Sequence, residues 1–300
     1  MIKRDIQSST RIISALSILF GIFLFLSVSC VGLGEALNVT VSILPQKFFV
    51  EKIGGDRVKV EVMVPSGAYP ASYEPKPAQM VSLKRAKLYF SIGVPFEKAW
   101  LPRFRSANPG LRVVDTSEDI ETIFMKSRHF HRGEKSPHSQ NDPHIWLSPP
   151  LVKKQAKTIM EALVKLDPTA KDLYEKNYLG FVDEIEKLDK YLKQLFEGKK
   201  GARFLVFHPS WGYFARAYGL EQISMEIEGK NPGPMDVERL IRIAREQKIR
   251  AVFVQPQVSA RSASVIAKAI DGSLVFVDPL AENWEQNLKQ VAEKFKAALR

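Results

Sequence analysis

From Leu37 onward the chain carries two rhythms of apolar and polar residues. Leu37, Val39, Val41 and Ile43 take every second place, the period of a strand with one buried face. A helical stretch through Phe48, Phe49 and Ile53 follows and stops at Gly54-Gly55, where a glycine cap is expected. Residues 58–64 read as the next strand. Residues 65–77 hold four prolines and one glycine and read as a loop. Helix is predicted over about 78–85, strand over 88–92, helix near Phe96 and strand over 111–114. Strands and helices taking turns in this way predict a parallel sheet covered by helices.

Between residues 150 and 199 the strand rhythm is gone. Residues 151–166 have helical periodicity, broken at Asp167-Pro168. Pro168 suits the first position of a helix, and a run to Phe196 follows. Leu173, Tyr178, Phe181, Ile185, Leu188, Tyr191, Leu192 and Leu195 recur there mostly three or four apart. At 1.5 Å per residue such a helix would be ~43 Å long, more than one small lobe needs. It suits a spine between two lobes. The α/β grammar then resumes, with strands over 204–207, 251–254 and 274–277. Helices are predicted through Tyr213 and Ala217, and over 234–247, 260–270 and 283–299. Glu226 and Glu228 alternate with Met225 and Ile227, which predicts the solvent face of a strand. The expected architecture is α/β: two lobes, each a parallel sheet flanked by helices, joined by one long spine helix around a cleft. The expected division is 37–150 for the first lobe, 151–199 for the helical linker and 200–300 for the second lobe.

The first 30 residues follow neither rhythm. Lys3, Arg4 and Arg11 precede an uncharged apolar run over 12–28, the pattern of a signal peptide. Cys30, the chain's one cysteine, lies directly behind that run. It cannot form a disulfide within the chain, and its place is that of the lipid-attachment cysteine of bacterial lipoproteins. Ordinary cleavage, for example after Ala36, is the alternative. Export is expected in either case, to the periplasm or to a lipid anchor on the extracytoplasmic face. The net charge of +11 allows a nucleic-acid partner. Acidic and basic residues alternate along the helices instead, as on solvated faces. No nucleic-acid partner is therefore expected, and a monomer is.

Chemistry concentrates at strand ends. His208 directly follows the strand over 204–207, and Asp278 the strand over 274–277. In parallel α/β sheets ligands bind beyond the carboxyl ends of strands. His144 lies in the stiff segment Asp142-Pro143-His144-Ile145-Trp146. Imidazole and carboxylate together suit zinc or a similar divalent ion. Each residue also has a plain reading, as a hydrogen-bonded loop histidine or a turn aspartate. Residues 128–141 are polar, without hydrophobic period, and hold three of the five histidines: His129, His131 and His138. Trp211, Tyr213 and Tyr218 have helical spacing and read as core.

Several segments together resemble the zinc and manganese solute-binding proteins of bacterial ABC importers. They are Val64-Pro65-Ser66-Gly67-Ala68 with Tyr73-Glu74-Pro75, and Asp142-Pro143-His144-Ile145-Trp146-Leu147-Ser148-Pro149. Phe207-His208 with Tyr213-Phe214 and Tyr218-Gly219, and Asp278-Pro279-Leu280, extend the resemblance along nearly the whole mature length. It implies two α/β lobes joined by one long helix and a metal site in the cleft. The metal ligands it implies are His144, His208 and Asp278. It implies high-affinity capture of extracytoplasmic Zn2+ and delivery to a membrane permease with its cytoplasmic ATPase. A histidine at position 208 is the zinc-type choice, and His129, His131 and His138 match the histidine-rich loop of zinc members. The chain departs from the pattern at Ala71, where the family has histidine. The fourth position then falls to water, Glu74 or a loop histidine. Manganese binding and a surface-adhesin role are the alternatives the resemblance admits. Two imidazoles, a carboxylate and an open position also describe a catalytic zinc centre. No further residue is placed as a general base, and no enzyme activity is expected.

Overall fold

The computed structural model describes residues 35–125, 141–226 and 230–299. The leader with Cys30, the loop histidines His129, His131 and His138, and Glu228 lie outside the described residues. Residues 37–300 form one unit by their internal contacts.

The first sheet consists of β1 (Leu37–Ile43), β2 (Val58–Val64), β3 (Leu88–Ser91) and β4 (Arg112–Asp115), in the order β2-β1-β3-β4 and parallel throughout. Parallel neighbours require crossovers. Helices α1 (Leu44–Gly54), α2 (Pro77–Leu83) and α3 (Pro95–Ala107) supply them. Pro77 and Pro95 open their helices, where the missing N–H would have no helical partner anyway. The second sheet repeats the plan with β5 (Arg203–Val206), β6 (Glu221–Ser224), β7 (Ala251–Val254) and β8 (Ser273–Phe276), in the order β6-β5-β7-β8. Its helices are α6 (Gly212–Ala217), α7 (Pro234–Glu246), α8 (Arg261–Ala269) and α9 (Trp284–Ala298). Every residue of the central strands β3 and β7 is buried, and the edge strands β4 and β8 are partly exposed. That contrast is expected where helices cover both faces of a parallel sheet.

Between the sheets run α4 (Pro149–Leu166) and α5 (Lys171–Leu195). Pro168 does not open the long helix. It starts a separate 3-10 turn, Pro168–Ala170, and α5 proper has 25 residues, ~38 Å. Tyr174, Phe181, Ile185, Leu188 and Leu192 form its buried stripe. On one side Lys52 pairs with Glu184 at 2.7 Å, and Asn177 Nδ2 donates to the Ile53 carbonyl at 3.0 Å. On the other, the Tyr191 hydroxyl donates to Glu293, and Lys296 Nζ donates to the Leu195 carbonyl at 2.8 Å. One hydrophobic core therefore runs from Val39 and Phe90 of the first sheet, past α4 and α5, to Phe204 and Phe253 of the second. A smaller cluster on the far side of the second sheet joins Leu205, Val252 and Val254 to α7 and α8.

In both sheets the order reverses at the first-formed strand, between β1 and β3 and between β5 and β7. The carboxyl ends at these reversals are where a crevice forms. In the first lobe a carboxylate of the chain itself fills that end. Glu97 is buried, accepts from the Ser42 hydroxyl, and accepts from the backbone N–H groups of Ile92 at 3.0 Å and Gly93 at 2.9 Å. Burial raises its pKa to about 7, against those three donors, with Asp115 adding to the rise.

Candidate metal centre

A cavity of about 340 Å3 opens at the carboxyl ends of both sheets. Tyr69, Pro70 and Ala71 reach it from the loop after β2, and Val94 and Pro95 from the end of β3. From the second sheet come His208 after β5, Glu226 after β6, Gln255 after β7, and Pro279 and Leu280 after β8. The link between the sheets adds His144 and Trp146.

His144 and His208 meet here. Their ring centroids are 5.2 Å apart with the planes at 71°. Each ring has a carboxylate behind it. Asp142 Oδ1 accepts from His144 Nδ1 at 2.7 Å and from the His144 backbone N–H at 2.9 Å. Glu226 Oε2 accepts from His208 Nδ1. A carboxylate only accepts, so both Nδ1 atoms carry a proton, and Nε2 is the nitrogen of each ring that is not engaged by a carboxylate. Burial lowers the His144 pKa, with Asp142 opposing, and at neutral pH the ring is an uncharged donor. Gly212 permits the Asp142 arrangement. A Cβ on Gly212 would stand 2.6 Å from Asp142 Oδ2. A second cavity, of about 690 Å3, is lined by Asp142 and Glu226, and Glu226 lines both cavities.

Glu226 corrects the sequence reading. It does not lie on the solvent face of a strand: β6 ends at Ser224, and Glu226 is 8% exposed. Its alternation with Met225 looked like a strand because the sequence does not show where the strand stops. Tyr69 and Asp142 were also not singled out. Tyr69 sets its ring edge on His208 and its hydroxyl 3.4 Å from Nδ1. Burial and then the Glu226 charge raise its pKa, so it stays a phenol.

Asp278 follows β8 as expected but does not line the cavity, whereas its neighbours Pro279 and Leu280 do. Its Oδ1 accepts from Gln257 Nε2 at 2.8 Å and from the Leu280 N–H at 2.9 Å. Trp146 ties this turn to His144, because its Nε1 donates to the Pro279 carbonyl at 2.7 Å. Glu74 is exposed and is not part of the cavity wall. Among the described residues, no three His, Cys, Asp or Glu side chains already converge as a metal cage. Trp211, Tyr213 and Tyr218 are core, and Tyr213 also accepts from the Ile123 N–H at 3.0 Å.

Two parallel four-stranded sheets with one long helix between them are the fold of metal-binding solute-binding proteins. The chain belongs to the family described as zinc-uptake complex component A, periplasmic, whose model matches residues 39–298. A protein of Chlamydia muridarum described as metal-binding is 31% identical over 260 residues, 86% of this chain and 90% of that one. The manganese ABC transporter substrate-binding lipoprotein PsaA of Streptococcus pneumoniae is 27% identical over 269 residues, 81% of this chain and 84% of its own. A crystal structure of ZnuA superposes with a TM-score of 0.83 at 42% identity, covering 89% of this chain and all of that one. The protein is thus a substrate-binding protein of the metal-importing ABC class, a family of carriers and not of enzymes. Such proteins work with a permease and an ATPase. No helix among the described residues is long and apolar enough to cross a membrane.

Proposed function

We propose that the chain captures extracytoplasmic zinc and hands it to an ABC permease. The observation that carries this reading is the pair of imidazoles, His144 and His208, facing one another in the cavity with each Nδ1 held by a carboxylate. A tetrahedral zinc with Zn–N bonds of ~2.0 Å suits two rings so spaced. Asp278 is the third donor. Its Oδ1 is held by Gln257 and Leu280, which leaves Oδ2 to turn toward a metal. Two nitrogens and one carboxylate suit zinc better than manganese, which favours oxygen donors. The carrier acts as a monomer, exported by its leader and held by a lipid on Cys30.

Competition calorimetry tests the choice of metal. Zinc should bind at least a hundredfold more tightly than manganese, a difference of about 2.7 kcal/mol. Equal affinities would refute the zinc reading, and retention of full zinc affinity after His144→Ala or His208→Ala would refute the site.

A further inference from the structure

The loop after β2 approaches the site on two tight turns. The Ala68 N–H donates to the Pro65 carbonyl at 3.1 Å, and the Ser72 N–H donates to that of Tyr69 at 3.2 Å. Gly67, at φ +78°, supplies the positive φ found at the third place of type II turns. Pro70 presets the second place of the next turn. Tyr69 stands between the two, so its backbone has little freedom. Together with the end of β3, this loop gives the cavity wall Tyr69, Pro70, Ala71, Val94 and Pro95. Among these described residues of the first lobe, Tyr69 has the only side chain with a polar atom.

That atom reaches the second lobe. The Tyr69 and His208 rings meet edge to face, with centroids 5.8 Å apart and planes at 85°. The hydroxyl lies 3.4 Å from His208 Nδ1, the atom that also donates to Glu226. At that distance the phenol oxygen takes only a minor share of the hydrogen. Its own proton lies in the field of the Glu226 carboxylate. Phenol and carboxylate thus converge on one nitrogen, and the edge of the phenol ring limits how far the imidazole can swing. A ligand ring fixed beforehand loses less side-chain freedom when a metal arrives. The His144 ring is held within its own segment, by Asp142. The His208 ring is held from both lobes.

Building on the zinc reading, we infer that Tyr69 is a positioning residue for zinc capture. Through it the first lobe acts on the metal centre by holding the His208 ring and its Glu226 partner, and not by donating to the metal. The loop that carries Ala71 contributes orientation in place of a bond.

Tyr69→Phe keeps the ring and removes the hydroxyl. Zinc affinity, measured by competition, should fall about three- to tenfold, what one hydrogen bond is worth net. In the metal-free protein the ring nitrogen signals of His208 should move, while those of His144 keep their places. A double-mutant cycle separates this role from a merely structural one. In the Glu226→Gln background, Tyr69→Phe should cost little further affinity. Unmoved His208 signals, equal shifts of both rings, or fully additive losses in the cycle would each overturn the inference. Absence of zinc binding by the native protein would instead overturn the zinc reading, and the metal-free spectra would still decide whether Tyr69 holds His208.

Discussion

Single atoms decide how well His144 and His208 can donate. In the proposed site each imidazole would bind metal through Nε2 with its proton on Nδ1, where Asp142 and Glu226 accept it. Glu226→Gln preserves shape and removes the charge that strengthens this bond. Zinc affinity should fall by about 10- to 100-fold, the usual cost of losing an outer-shell partner. The nitrogen spectrum of the His208 ring should move toward the other tautomer. An unchanged affinity and spectrum would deprive Glu226 of that role. Gly212→Ala tests the other ring from behind. Its Cβ would lie 2.6 Å from Asp142 Oδ2, so the carboxylate must shift and His144 loses its support. Zinc affinity should drop with little change in melting temperature. His144 was legible in the sequence because its stiff segment is distinctive, and His208 because it follows a strand. Their carboxylates were not equally legible. Asp142 stands two residues from its histidine and could have been found by asking what holds the ring. Glu226 is 18 residues from His208 and reaches it only through the pairing of β5 with β6.

The strands and helices were largely legible, since their periods and proline starts are local. The exceptions lie where tertiary contacts set a boundary. The break between the 3-10 turn Pro168–Ala170 and α5 is one case. Asp167 accepts there from Arg57 of the first lobe at 2.6 Å and from the Tyr174 hydroxyl at 3.1 Å. The short strand β6 is another, because its residues are all half-buried and show no period. The turn between β3 and α3 holds the most consequential local chemistry, since Glu97 closes it from inside. Its pKa of about 7 in the fold lies above the ordinary carboxyl value of 4.5. The folded state therefore binds the proton more tightly than the unfolded chain. The stability this contributes is complete below about pH 4.5 and is lost as the pH rises toward 7. Chemical denaturation across this window should show a decline of about 3 kcal/mol attributable to Glu97. In Glu97→Gln, which keeps an acceptor for the Ile92 and Gly93 N–H groups, that decline should be absent. A parent protein with the same pH profile as the variant would contradict the assignment.

The two lobes are not separate bodies on a flexible strap. One hydrophobic core passes through both, and Trp146 and Trp284 stitch them further. Trp284 Nε1 donates to the Trp146 carbonyl at 2.6 Å, and Trp146 Nε1 donates to that of Pro279. Opening such an assembly widely would expose buried aromatic surface, at a cost of about 25 cal/mol per Å2. Zinc binding should consequently leave the radius of gyration in X-ray scattering unchanged within error. It should still raise the melting temperature, because a ligand at a hundred times its dissociation constant stabilises by about 2.7 kcal/mol. A clear contraction on adding zinc would show that the core yields. For the importer the continuous core has a further consequence. With no such contraction, an empty and a loaded carrier would present nearly the same silhouette, and a membrane partner could not sort them by outline. It would have to sense the mouth of the crevice, which Tyr69, Ala71 and Lys230 line. Fruitless docking of empty carriers would then be suppressed only as far as those few groups change when the load arrives.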